Sequence, residues 1–98
     1  MNNQENKNRN ERRQARKEGH LDNHAFLKVA DRFIDVANDE NQNVLATELQ
    51  MAFLYAAARY NAHVAKNVLN VEDQEDFVKE MSKHYQEMLR NHLADPQV

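Results

Sequence analysis

The chain has no cysteine and no tryptophan, and its 98 residues include a single glycine, Gly19, and a single proline, Pro96. Without cysteine there is no disulfide framework, no thiolate nucleophile and no thiolate-bound metal. One glycine cannot build a phosphate-cradling loop, which needs several positions where backbone approaches the anion without a Cβ. With so little glycine and proline, hairpin turns have almost nothing to form from, and strands are not expected. Long apolar runs are missing too. The longest, Met51 to Ala58, is followed directly by Arg59 and Asn61 and falls far short of the ~18 residues of a membrane span. The first residues lack the apolar centre of a signal peptide. These absences lead us to expect a cytoplasmic protein that does not enter a membrane.

What is present is unevenly distributed. Residues 1–19 carry six basic side chains (Lys7, Arg9, Arg12, Arg13, Arg16, Lys17) and three acidic ones, a net charge of +3. The remaining residues carry seven basic and thirteen acidic side chains, a net of -6, so the overall -3 joins a basic tail to an acidic body. Alanine and the initiating methionine are the only apolar side chains of the tail. Such a segment buries almost nothing to offset an ordering cost of about 1–2 kcal/mol per residue. We therefore read residues 1–20 as a disordered basic tail, with Gly19 at the joint, and residues 21–95 as one small domain.

The periodicity of the body is helical throughout. Asp22 or Asn23 can cap a first helix over about 23–38, and Leu21 and Phe26 then occupy the positions of a hydrophobic staple. Phe26, Val29, Ala30, Phe33, Ile34 and Ala37 recur on one face, opposite Lys28, Asp31, Arg32 and Asp35. The polar cluster from Asn38 to Asn43 ends this helix, because short amides and acids compete for backbone hydrogen bonds. A second helix over about 45–67 can start near Asn43 or at Thr47, where Thr47-Glu48-Leu49-Gln50 has the capping-box pattern. A third, over about 71–94, places Glu72, Asp73, Glu75 and Asp76 at its positive end and Arg90 and His92 near its negative end. Phe77, Val78, Met81, Tyr85, Met88 and Leu89 form its apolar stripe, and Pro96 stops it.

The second helix is apolar on all sides over residues 51–58, so it must be covered on more than one face. Its alanines permit close approach, while Phe53, Leu54, Tyr55 and Tyr60 supply bulk. The expected fold is all-α: a three-helix bundle with an apolar central helix and a disordered N-terminal tail. Two flanking helices cannot enclose the central one, and the uncovered remainder points to a homodimer.

Two stretches carry a family resemblance. Ala30-Asp31-Arg32-Phe33-Ile34-Asp35-Val36-Ala37-Asn38 is followed by Leu54-Tyr55-Ala56-Ala57-Ala58-Arg59-Tyr60-Asn61-Ala62 and then by a helix with an acidic start. This arrangement resembles the short bacterial proteins grouped as domain of unknown function 3144. The likeness covers roughly residues 24–93 and leaves the basic tail outside. It implies an all-helical fold in a bacterial cytoplasm, and it implies no activity.

Candidate chemistry is sparse. Arg59 follows eight uncharged residues, and a guanidinium beside a core needs a partner. Asp31 and Asp35 on the first helix, or Glu80 on the third, are the candidates, which gives a buried ion pair of Arg59 with Asp31 or Asp35. The competing reading of Arg59 is an anion-binding side chain in a groove. His20 and His24, and Glu80 and His84, stand four apart, but neither a Glu-x-x-His nor an HExxH string occurs. The only serine, Ser82, and His84 lie on different faces of one helix and cannot act together. In the tail, Arg9, Arg12, Arg13, Arg16 and Lys17 would share one helical stripe, the pattern of arginine-rich segments that fold on RNA. Glu5, Glu11 and Glu18 dilute it, and no aromatic is there to stack on bases. The sequence thus reads as a non-enzymatic interaction module without metal or cofactor, with RNA or polyanion binding by the tail as the alternative.

Overall fold

The structure is a computed structural model that describes residues 19–98. Three helices make up its regular structure: α1 (Asn23–Glu40), α2 (Ala46–Asn67) and α3 (Gln74–Ala94). Among the described residues there is no strand. The expected disordered tail lies outside the described residues except for its last two positions. There Gly19 takes a φ of +85°, a left-handed conformation open to glycine at no steric cost.

Helix ends are set by local hydrogen bonds. Asp22, in extended conformation, caps α1: its Oδ1 accepts from the Ala25 N–H at 2.8 Å, and its carbonyl accepts from Phe26 at 2.8 Å. At the other end, Asn41 still has helical angles and donates its N–H to the Ala37 carbonyl at 2.9 Å. Asn43 and Val44 both donate to the Glu40 carbonyl at 3.0 Å. The first of the competing amides therefore extends the helix before the chain turns, and α1 reaches Glu40 rather than stopping at Asn38.

α2 starts without the capping box. Glu48 and Leu49 donate to the Leu45 carbonyl at 3.0 and 2.8 Å, so Thr47 sits inside the first turn rather than at the cap. Its last turn is closed by Val68 and Leu69, which donate to the Val64 carbonyl at 3.0 and 2.9 Å, and by Val71, which donates to the Ala65 carbonyl at 3.0 Å. Within that turn Asn70 has a φ of 51°, a left-handed angle that asparagine tolerates better than most side chains. The reversal consumes residues 68–72, and Asp73 then caps α3 by accepting from the Asp76 N–H at 3.1 Å. This is why α3 begins at Gln74 and not at residue 71. Glu75 and Asp76 stand in its first turn, where the positive end of the helix favours them. Asp95 closes α3, its N–H donating to the His92 carbonyl at 3.1 Å, just ahead of Pro96.

The chain divides into two compact units, one ending at Met51 and one spanning Ala52–Val98. In the first, Ala25, Val29, Ala30, Ala37, Val44 and Leu49 are half-buried. The larger members of the α1 stripe are not: Phe26, Phe33 and Ile34 are 58%, 60% and 51% exposed. In the second unit the half-buried residues are Asn61, Val64, Val71, Phe77 and Met81, and Ala65, at 5% exposure, is the buried one. Every residue from Met51 to Tyr60 is exposed.

Candidate functional site

The second unit contains a groove of about 350 Å³ between the latter part of α2 and the first half of α3. Its α2 side is built from Ala58, Ala62 and Ala65, spaced i, i+4 and i+7 and hence stacked on one helical face. A methyl group at each of these positions is the smallest side chain that keeps full helix propensity, so the wall is both low and rigid. Facing it are Val71 from the reversal and Phe77, Val78 and Met81 from α3. Asn61, Lys66, Gln74 and Ser82 add polar groups to the lining. The reversal fixes the two walls: the Asp73 cap and the left-handed Asn70 determine where α3 starts, and therefore which α3 residues meet the alanines.

Chemically the lining is mostly apolar. Lys66 is the one formally charged side chain in its lining, and apolar atoms dominate the rest. Such a groove can accept apolar side chains while its rim supplies a few hydrogen bonds that set orientation.

Apolar surface continues beyond the groove. On α3, Tyr85, Met88, Leu89 and Leu93 are 49%, 52%, 43% and 77% exposed, and on α2 Tyr55 and Tyr60 are 70% and 68% exposed. Single exposed apolar residues are ordinary; on α3 they recur along successive turns of one helix.

The residues singled out from the sequence are placed as follows. Arg59, Asp31 and Asp35 are all exposed, so none has the apolar surroundings that a buried ion pair requires. The uncharged run ahead of Arg59 is itself exposed and gives it no low-dielectric wall. Arg9, Arg12, Arg13, Arg16 and Lys17 lie outside the described residues. Among the described residues no group of three or more histidine, aspartate or glutamate side chains is placed to hold a metal ion. His63 has a local role: its Nδ1 accepts from the Asn67 amide at 3.2 Å, its ring centroid is 6.2 Å from that of Tyr60, and its carbonyl accepts from the same amide at 3.2 Å. Sequence reasoning did not find the groove. The available signal was the i, i+4, i+7 spacing of Ala58, Ala62 and Ala65.

Residues 26–96 match the family described as protein of unknown function (DUF3144). The chain belongs to this family. The match takes in all of α2 and α3, the groove between them and α1 from Phe26 onward, and it excludes the basic tail. Membership of the DUF3144 family confirms the resemblance seen in the Leu54–Ala62 string and assigns no reaction. No curated protein and no solved structure matches the chain. No helix among the described residues is long and apolar enough to cross a membrane.

Proposed function

We propose that this DUF3144 protein is a non-enzymatic interaction module of the bacterial cytoplasm, which works by burying its exposed apolar helix surface against another protein chain. The observation that carries the reading is the exposure of Met51 through Tyr60, a stretch that includes Phe53, Leu54, Tyr55 and Tyr60. Phe53 and Leu54 are 38% and 43% exposed and Tyr55 and Tyr60 70% and 68%, so a partner chain would recover only part of the roughly 1.5–3 kcal/mol that full burial of an exposed large apolar side chain supplies. The absence of an enzymatic role rests on the sequence: one glycine, no cysteine, and a lone serine on the opposite face of α3 from His84.

The test is a photo-crosslinking amino acid placed at Tyr55 and, as a control, at the exposed polar position Glu87, followed by irradiation in extract. Adducts of discrete mass at position 55 and none at position 87 are expected. Equal or absent labelling at both positions would refute the interaction reading.

Polyanion binding by the tail is a second reading, favoured by the separation of a +3 tail from a -6 body and by the stripe of Arg9, Arg12, Arg13, Arg16 and Lys17. Retardation of RNA that fades steeply between low and physiological salt is its signature, because released counterions drive such binding. Retardation by the intact chain that persists after the five residues are changed to alanine would refute it.

A further inference from the structure

We propose that Met51 and Met88 are sites of reversible sulfoxidation by hydroperoxides, and that the modification withdraws the apolar faces of α2 and α3 from partners while leaving the helices intact. The chain has neither cysteine nor tryptophan, so its thioethers carry all of its sulfur. Three of its four methionines fall among the described residues, and they stand in two different settings. Met51 is 60% exposed and Met88 is 52% exposed. Met81 is half-buried and lines the groove together with Phe77, Val78 and Ala62. Oxidation of a thioether follows the oxidant's access to it. The two exposed methionines therefore take up oxygen first.

The step is an oxygen transfer. A lone pair on the thioether sulfur forms the S–O bond, the peroxide O–O bond breaks, and the departing oxygen leaves as an alcohol or as water. A sulfoxide reductase reverses it with two thiols, which leave as a disulfide while the oxygen leaves as water. Position decides the consequence. Met51 precedes Leu54 and Tyr55 by three and four residues, and Met88 follows Tyr85 by three, spacings that set side chains next to each other on a helix. Those neighbours are 43%, 70% and 49% exposed. A sulfoxide at either position stays hydrated in the free chain and costs the fold little. Against a closing partner its oxygen needs a hydrogen-bond donor, and an apolar surface has none to give. The proposal rests on the interaction-module reading and makes the unbound chain the form that is oxidised, because a bound partner covers both sulfurs.

The experiment treats the purified full chain with hydrogen peroxide. Peptide mass spectrometry follows the sulfoxide at each methionine, far-ultraviolet circular dichroism follows helicity, and anilinonaphthalene sulfonate reports exposed apolar surface. Met51 and Met88 should convert at least about threefold faster than Met81. Helicity should hold while dye fluorescence falls in step with the conversion. A Met51→Leu, Met88→Leu double variant should keep its dye signal under the same treatment, and a methionine sulfoxide reductase with a dithiol should restore that of the unmodified sequence. Conversion of Met81 at the same rate or earlier, helicity lost in step with Met51 and Met88, or equal dye loss in the double variant would overturn the proposal. The partner arm repeats the position-55 photo-crosslinking with the oxidised chain. Adducts should disappear on oxidation and return on reduction, and adducts that survive full conversion of Met51 would overturn the control of binding. Absence of adducts from the unoxidised chain is instead the failure of the interaction reading, which the partner-free measurements do not share.

Discussion

The two halves of α2 differ both in composition and in how far the fold encloses them. From Met51 to Tyr55 the helix carries Phe53, Leu54 and Tyr55, which are 38%, 43% and 70% exposed. From Ala58 to Ala65 it carries alanines, and one of them, at 5% exposure, is the buried apolar residue of the structure. Side-chain size and polarity both separate the halves: the first is bulky and uncharged, and the second sets small alanines between Arg59, Asn61 and His63. The methyl-lined face closes against its neighbours only at Ala65; Ala58 and Ala62 remain exposed and line the groove. A face of large side chains needs deep complementary pockets to be enclosed. Within α2 the large side chains Phe53, Leu54 and Tyr55 stay partly exposed, while Ala65, next to the half-buried Val64, is enclosed.

The strongest test of this comparison is enlargement of the alanine wall. Ala65→Leu should lower stability by about 1–3 kcal/mol, because overpacking a filled position displaces its neighbours. Ala56→Leu, on the exposed part of the same helix, should stay within about 0.5 kcal/mol. Urea midpoints measure both, and equal losses would break the distinction between the halves.

An intermediate effect is expected at the two aspartate caps, one in each compact unit. Asp22→Ala and Asp73→Ala should each cost about 1 kcal/mol, since each leaves a first-turn N–H without its acceptor. Amide hydrogen exchange sharpens the result. Loss of protection confined to α1 after the Asp22 change would mark the units as separately opening segments, whereas loss spreading through α3 would show one cooperative unit.

The smallest effect is expected at Arg59. Arg59→Ala should change stability by less than about 0.5 kcal/mol, as for other exposed positions. A loss of about 3–5 kcal/mol, the size seen when a buried pair is broken, would mean that the assembled protein covers this part of α2 after all. Thermal unfolding above and below the association range separates the two outcomes.

The legible part of the fold is the part governed by near neighbours. Asp22 as a cap, the absence of strands and the halt before Pro96 all depend on contacts within four or five residues. The start of α3 was misplaced by three residues because its cap depends on the left-handed turn at Asn70, which composition does not announce. The groove was missed for a different reason. The spacing of Ala58, Ala62 and Ala65 is visible in the sequence, but helical alanines are common, and only the position of α3 distinguishes a packed face from a solvated one. Arg59 shows the same limit from the other side: an uncharged run ahead of it is also what an exposed apolar surface looks like.

The sequence by itself determined that the described residues form three helices, where most of their ends fall, and that a basic tail is joined to an acidic body. Those properties follow from hydrogen bonds between residues a few positions apart and from a count of charges. Only the tertiary structure decided which alanines line the groove beside α3 and that Phe53, Leu54 and Tyr55 are left partly exposed. Burial depends on what a distant segment brings to a surface, and no local pattern encodes how much of that surface it will reach.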